Sequence, residues 1–305
     1  MKTIFKFLIL SLALFIAGCS GGSGGSLFSG GGSSNVGPSS EDDIGDGVEM
    51  RVSSLDSSDI LSTRSVFFSI EFRNENVESI ELDKNNFRIK VIPGGERVFT
   101  SESMNEVFDA IFRDGTAYIS KTFNIEQEGL SLTIDDSNEA ILRSFLDQDI
   151  TLFFILEYEE EFEQFVNLNL NFEDNDVNSE EVVKKTGPLT VSSFELKRAN
   201  TDSFLEFEIS GDINAQTKLK LSRLEHTLGD DSLDCTYSQE NGAVFDESNV
   251  QLTSNNKLIK VFCDIPKSTV ETYSDDTTFT FHTSLDYEYA ETQSQSFRLP
   301  NDFLN

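Results

Sequence analysis

The chain of 305 residues carries 54 acidic and 23 basic side chains, which give it a formal net charge of −31. Nucleic-acid binding requires clustered Lys and Arg, so this charge argues against a nucleic-acid partner. The same charge argues against a protein that lies flat on an anionic lipid leaflet.

The start of the chain has the composition of a secretory signal. Lys2 precedes an apolar run over 4–16 that only Lys6 and Ser11 interrupt. A permanent membrane span needs about 20 apolar residues, and this run is shorter. The pattern therefore predicts a signal peptide over 1–18 that is removed after export. An uncleaved membrane anchor is the alternative, and it leaves the topology unchanged.

The apolar run ends in Ile16-Ala17-Gly18-Cys19, which resembles the lipobox of prokaryotic (bacterial or archaeal) lipoproteins. In that family the cysteine thiol accepts a diacylglyceryl group and the cysteine becomes the new N-terminus. The resemblance implies lipidation of Cys19, membrane contact through this lipid anchor, and a location on the extracytoplasmic face of a prokaryotic membrane. Residues 19–47 are rich in Gly, Ser and acids, so we expect a disordered tether that buries no core.

About 260 residues follow the tether, which is enough for two domains of ordinary size. The acidic stretch 173–187 contains few apolar residues, so we expect a linker there. This boundary predicts domain 1 over 48–172 and domain 2 over 188–299, followed by a C-terminal tail at 300–305.

Both predicted domains have the alternating pattern of β-strands. Apolar and polar residues alternate over 66–73, 165–172, 189–196 and 204–209. A period of two places one face of a strand in a core and the other in water, as in antiparallel sandwiches. The chain is therefore predicted to be mainly β, with two tandem antiparallel sandwiches.

Two short helices are predicted to interrupt domain 1. Ser103 and Glu106 have the spacing of a capping box, and Ser137 is placed to cap a second helix. Apolar residues at helical spacing follow each cap. Those residues are Met104, Val107, Phe108, Ile111 and Phe112 in the first helix and Ala140, Ile141, Leu142, Phe145 and Leu146 in the second.

The two halves share a short motif, which suggests distant duplication. It reads Leu-Glu-Tyr-Glu over 156–159 and Leu-Asp-Tyr-Glu over 285–288. We expect Tyr158 and Tyr287 at strand ends, with their hydroxyls in water. The glutamates between Glu157 and Glu163 are then explained as solvated charge around a hairpin turn.

In architecture, residues 48–299 resemble the tandem immunoglobulin-like domains of prokaryotic surface lipoproteins. The chain departs from that family because it contains no Trp. Once Cys19 is acylated, Cys235 and Cys263 are the two remaining thiols of an exported chain, so we predict a disulfide between them. It closes a shorter loop than the inter-sheet bridge of that family, and it should stabilise the fold by about 3–4 kcal/mol. A redox motif or a zinc site would need other spacings.

Residue patterns of known catalytic and metal sites are nearly absent. His226 and His282 are the only histidines, and both are interpreted as surface or strand residues outside any known motif. Asp174, Asp176 and Asn178 have the initial spacing of a calcium loop, but Ser179 and the later Lys185 break the pattern, so calcium is a weak candidate and no other cofactor is expected.

The sequence thus favours a membrane-anchored extracytoplasmic lipoprotein that acts as a non-catalytic binding or structural module. A surface protein or a glycan is the expected partner. The alternatives are an exported hydrolase with an unrecognised carboxylate site and an adhesion module stiffened by calcium.

Overall fold

The computed structural model describes residues 48–74, 79–120, 124–184, 187–199, 202–239, 244–245, 250–272 and 277–305. The predicted signal peptide, the lipidation residue Cys19 and the predicted tether lie outside these residues and stay predictions. Asp42–Asn305 form one compact unit. In the described part, the chain is mainly β and its strands pair antiparallel, which confirms that part of the predicted fold class.

The strands are β1 (Val48–Val52), β2 (Ser65–Asn74), β3 (Ile80–Asp83), β4 (Phe87–Ile92), β5 (Thr116–Ile119), β6 (Ile125–Thr133), β7 (Asp149–Asn171), β8 (Asp176–Lys184), β9 (Leu189–Ala199), β10 (Asp202–Gly211), β11 (Thr217–Leu228), β12 (Asp231–Ser232), β13 (Asp234–Gln239), β14 (Val244–Phe245), β15 (Val250–Thr253), β16 (Leu258–Ile265) and β17 (Thr277–Arg298). The helices are α1 (Ile60–Thr63), α2 (Ser101–Ile111), α3 (Glu139–Arg143) and α4 (Lys267–Thr272), with 3-10 turns at Gly95–Val98, Arg113–Gly115 and Asp136–Asn138.

Two long strands, β7 and β17, organise the molecule. They pair in one continuous register from Asp149 opposite Arg298 to Leu170 opposite Thr277. At about 3.3 Å per residue, a pair of 22 residues spans roughly 70 Å. Strand β4 pairs with the first part of β7, whereas β8 pairs with its last part and β11 pairs with the middle of β17.

Each end of this long pair is covered by a different sheet. At one end, which we call the first lobe, the sheet β1-β2-β6 packs on β4 and β7. Phe68 of β2 lies 5.2 Å from Phe154 of β7, measured between ring centroids. At the other end, the second lobe, the five-stranded sheet β14-β13-β16-β10-β9 packs on β17, and Phe207 lies 5.0 Å from Phe281.

The predicted linker at 173–187 overlaps a strand in its described part. It contains β8, which pairs with β7 from Asp176 opposite Asn171 to Lys184 opposite Gln164. The predicted halves also share the long pair β7–β17, so their sheets are continuous with each other. An acidic edge strand has the same low apolar content as a linker, and the division into two domains stays a prediction.

The predicted hairpin turn around Glu157–Glu163 is wrong. These residues lie in the middle of β7, with their partners on β17. Tyr158 and Tyr287 are accordingly not at strand ends, and only 3% and 2% of their surface is exposed. Tyr158 stacks on Tyr289 at 4.7 Å, and burial raises the pKa of Tyr158 well above its usual range.

The two predicted helices are present as α2 and α3, and the first has a different cap. The Thr100 side chain, rather than that of Ser103, accepts a hydrogen bond from the N–H of Ser103. At the second helix, a 3-10 turn comes first, and Asp135 accepts from Ser137. Among the described residues, no helix is long and apolar enough to cross a membrane.

The C-terminal tail at 300–305 packs on the first lobe. Phe303 is fully buried, and the Arg64 guanidinium carbon lies 4.3 Å from the centroid of its ring. Arg64 also donates a hydrogen bond to the backbone carbonyl of Phe303. Phe303 is therefore part of the core.

Candidate functional site

The predicted disulfide between Cys235 and Cys263 is confirmed. The two residues face each other on the paired strands β13 and β16, and their sulfur atoms are 1.98 Å apart. Both side chains are buried in the second lobe. Cys19, the other cysteine with a predicted role, lies outside the described residues.

The weak calcium candidates do not form a loop around a common point. Asp174 lies in the turn after β7, whereas Asp176 and Asn178 lie on β8, where Asn178 pairs opposite Asn169. The Asp176 carboxylate accepts a hydrogen bond from the N–H of Val177. Within the described ranges, no group of three or more His, Cys, Asp or Glu side chains is placed to hold a metal ion. Calcium binding stays a prediction.

Both histidines lie on strands, but their environments differ. His226 of β11 is buried, its Nδ1 lies 2.8 Å from the Thr283 hydroxyl, and its Nε2 has no hydrogen-bond partner among the described residues. Burial lowers the pKa of His226 to about 3, and the charge of His282 adds to this effect. His282 stacks on Phe165 at 4.2 Å, and its Nε2 lies 3.7 Å from Glu163. Thr283 and His226 are 0% and 2% exposed, so this pair of hydroxyl and ring is closed off from a substrate.

One edge of the first lobe is closed by side chains. The N–H groups of Val48, Met50 and Val52 in β1 point away from β2 and toward β17. The N–H of Met50 donates to Glu291 over 2.8 Å, and that of Val52 donates to Gln293 over 3.0 Å. Three further bonds complete this edge: Val48 N–H to the Tyr158 hydroxyl, Gln293 Nε2 to the Met50 carbonyl, and Gln295 Nε2 to the Val52 carbonyl.

These side-chain bonds to the backbone of β1, which we call the polar ladder, explain why a carboxyl group is buried here. Glu291 is 1% exposed, and its burial raises its pKa to about 7 despite hydrogen bonds from Met50, Gln293 and Tyr289. A raised pKa is also typical of a general acid. Here the hydrogen bonds of Glu291 go to the backbone of β1 and to neighbouring side chains, so the carboxyl group serves as an edge cap.

Strand β4 forms an edge of the seven-stranded sheet, and it lacks such a ladder. The N–H of Glu157 in β7 donates to the Asn86 carbonyl over 2.7 Å. The backbone groups of the even-numbered residues here therefore point toward β7. Because backbone groups of an antiparallel strand point alternately to its two sides, the N–H and C=O groups of Phe87, Ile89 and Val91 point to the open side, while the side chains of these residues point into the core. In the part of the chain that the structure describes, no turn, loop or side chain bonds to these groups.

A groove of about 930 Å³ runs along this open edge. Gly94, Gly95 and the first turns of α2 form its other wall, where Met104 and Phe108 supply apolar surface. The chain folds this way because Gly94 and Gly95 both adopt positive φ angles, which turn the backbone from β4 toward α2.

The groove is basic although the protein is strongly acidic. Four bases and one acid, Glu96, are among its lining residues. The bases are Lys84, Arg88, Lys90 and Arg97. Arg88 forms an ion pair with Glu157, whereas the other three form no ion pair with any described residue. The groove therefore combines unpaired backbone groups, apolar surface and uncompensated positive charge.

The sequence patterns did not predict this groove, although residues 84–97 contain a signal for it. Residues 84–97 carry four bases and one acid in a chain with 54 acids and 23 bases. Within this segment, Arg88 and Lys90 alternate with apolar residues, which is the pattern of a strand with one cationic face. The sequence does not show that β4 is an edge, because this depends on which strands pair with β7.

A second, smaller groove is acidic and is neutralised in part by its neighbours. It has a volume of about 470 Å³ and includes Glu159, Glu161 and Asp286. Arg223, next to a bulge in β11, lies 2.9 Å from Glu161 and 2.8 Å from Asp286. These exposed charges are explained by cross-strand ion pairing on the outer face of the sheet.

No protein-family model matches the chain, and no curated protein matches it. Among solved structures, it is similar to the envelope protein VP37 of White Spot Syndrome Virus, with 8% sequence identity and a TM-score of 0.21. The match covers 45% of this chain and 98% of VP37. At this TM-score, the likeness carries no argument about fold or function.

Proposed function

We propose that the chain is a lipid-anchored protein on the extracytoplasmic face of a prokaryotic membrane, where it acts as a non-catalytic binding or structural module. The observation that carries this proposal is the tetrapeptide Ile16-Ala17-Gly18-Cys19 at the end of a short apolar run. The Cys235–Cys263 disulfide supports it, because such bonds persist in oxidising compartments outside the cytoplasm.

The open edge of β4 supports binding rather than catalysis. Edge strands that keep unpaired backbone groups are used for recognition of other chains. The buried polar residues His226 and Glu291, by contrast, contact the protein's own core and backbone. The likeness to tandem immunoglobulin-like domains is part of the proposal. The antiparallel sheets agree with it, whereas the continuous pair β7–β17 is not a feature that it implies.

Lipidation is tested by mass spectrometry of the protein from a bacterial host that processes lipoproteins. We expect a mature chain that begins with a diacylglyceryl-modified Cys19 and partitions into membranes. Cys19→Ser should lose both the lipid and the membrane fraction, while the neighbouring control Ser20→Ala keeps them. An unmodified residue 19 with the leader still attached in a cytosolic fraction would refute the proposed location.

The binding role is tested by affinity capture from native membranes, with the intact chain and the Cys19→Ser form as baits. We expect a surface protein or a glycan to be retained by the intact chain. Recovery of no partner with either form would count against a binding module and favour a purely structural role.

A further inference from the structure

We propose that the groove along β4 binds an extended acidic peptide segment of a partner protein, which adds to the sheet as a further strand. This inference rests on the proposed binding function and specifies its surface and its ligand. Three features of the groove support it: the backbone of β4, the charge around it, and the distribution of side chains on its two faces.

The backbone supplies the first argument. Ile89 and Val91, which are 4% and 3% exposed, direct N–H and C=O groups toward the groove about 6.6–6.8 Å apart along the strand, whereas Phe87 is fully buried. A peptide in extended conformation carries complementary groups at the same spacing. Strand addition of this kind derives affinity from main-chain hydrogen bonds and specificity from alternate side chains.

Charge supplies the second argument. Lys84, Lys90 and Arg97 line the groove without an ion pair to any described residue. Carboxylates of a bound segment would neutralise these cations. A basic or neutral segment would leave the positive charge of the groove uncompensated. The groove is a local exception, because the chain as a whole is strongly acidic.

The two faces of β4 determine which side chains such a segment needs. Arg88 and Lys90 point outward and are exposed, whereas Phe87, Ile89 and Val91 point inward. Residues of an added strand share the face of the residues that they oppose. The segment should therefore place acidic residues beside Arg88 and Lys90 and apolar residues on the inner face, toward α2. The predicted ligand is a stretch in which acidic and apolar residues alternate.

Exposed lysines on an edge strand also have a protective role, because they discourage pairing between identical molecules. That role and ligand binding make opposite predictions for charge reversal. If the cations only prevent self-association, charge reversal affects the oligomeric state and no acidic peptide binds. If they bind a ligand, charge reversal abolishes binding.

The first test uses the full chain in detergent micelles and a fluorescent seven-residue peptide in which Glu alternates with Val. Fluorescence anisotropy should show binding that Lys84→Glu combined with Lys90→Glu weakens by about tenfold or more. The matched control, Lys218→Glu with Lys257→Glu, makes the same change of net charge on exposed lysines elsewhere and should stay within about twofold. Equal loss in both variants, or no binding by the unmodified protein, would overturn the proposal.

The second test distinguishes strand addition from simple attraction between charges. Two versions of the peptide carry N-methyl groups on alternate amides, in opposite phases. One phase blocks the amides that face β4 and should abolish binding, whereas the other phase should leave binding nearly unchanged. Equal binding of both versions would show an anion site and refute strand addition. Either result leaves the lipidation experiment, and therefore the proposed location, unaffected.

Discussion

Strands β1 and β4 are two edge strands of the first lobe, and the backbone groups on their outward sides have different surroundings. Strand β1 has its outward backbone groups bonded by side chains of β7 and β17, whereas the outward groups of β4 line a basic groove. An unpaired edge attracts other strands, and burial without partners is costly. The comparison indicates that side chains cap the β1 edge, whereas the outward groups of Ile89 and Val91 in β4 have no such caps in the described part of the chain and border the groove.

The largest effect is expected at Gln293, which caps two backbone groups of β1. Gln293→Leu leaves the Val52 N–H and the Met50 carbonyl without partners, which should lower the free energy of unfolding by about 2–4 kcal/mol. Urea unfolding measures the loss, and hydrogen exchange should show faster exchange at Val52. The neighbouring Ser294→Ala, on the exposed face, should change stability by less than about 0.5 kcal/mol. Equal stability of both variants would refute the capping role.

The next effect concerns the pH dependence of stability. The pKa of Glu291 is about 7 in the folded protein against 4.5 for an ordinary Glu, so the folded state keeps its proton longer than the unfolded chain. The stabilisation is therefore complete below about pH 4.5 and is lost as the pH rises through 7. The difference between these two pKa values corresponds to roughly 3 kcal/mol in the free energy of unfolding.

Glu291→Gln removes that titration while it keeps an acceptor for the N–H of Met50. The difference in unfolding free energy between the variant and the wild type should therefore shift in favour of the variant, by up to about 3 kcal/mol between pH 4.5 and 8. Effects of other groups cancel in this difference. Glu288→Gln, on the outer face, is the control and should give a nearly constant difference. Parallel pH profiles for the wild type and Glu291→Gln would contradict the burial of a protonated carboxyl group.

A smaller effect is expected where β1 begins. Tyr158→Phe removes the hydroxyl that accepts the N–H of Val48 over 3.1 Å, and it keeps the ring that stacks on Tyr289. The loss of one cap at a buried donor should cost about 1–2 kcal/mol, measured by thermal or urea unfolding. An unchanged midpoint would show that Val48 finds another acceptor.

The smallest effect is expected at the open edge. Lys90→Ala should change the free energy of unfolding by less than about 0.5 kcal/mol, because its exposed side chain forms no ion pair with the described residues. The same variant should weaken binding of the acidic peptide. A large loss of stability would show that β4 depends on this lysine for folding, and it would remove the contrast between the two edges.

The sequence by itself determined the local features of this protein. Alternation identified strands such as β2 and β10, apolar spacing identified α2, and the count of cysteines identified the pair Cys235–Cys263. These features depend on backbone periodicity and on a small number of reactive side chains. Both can be recognised without knowledge of the neighbours in space.

Only the tertiary structure decided which strands are long, which are edges and what covers each edge. Three successive glutamates after Tyr158 resemble a turn, yet pairing with β17 keeps them in one strand. Glu291 and Gln293 have the polarity of a solvated face, but they lie against β1, with Met50 and Glu291 separated by 241 positions in the chain. Periodicity defines two faces of a strand, whereas contacts between distant segments decide which of them meets water.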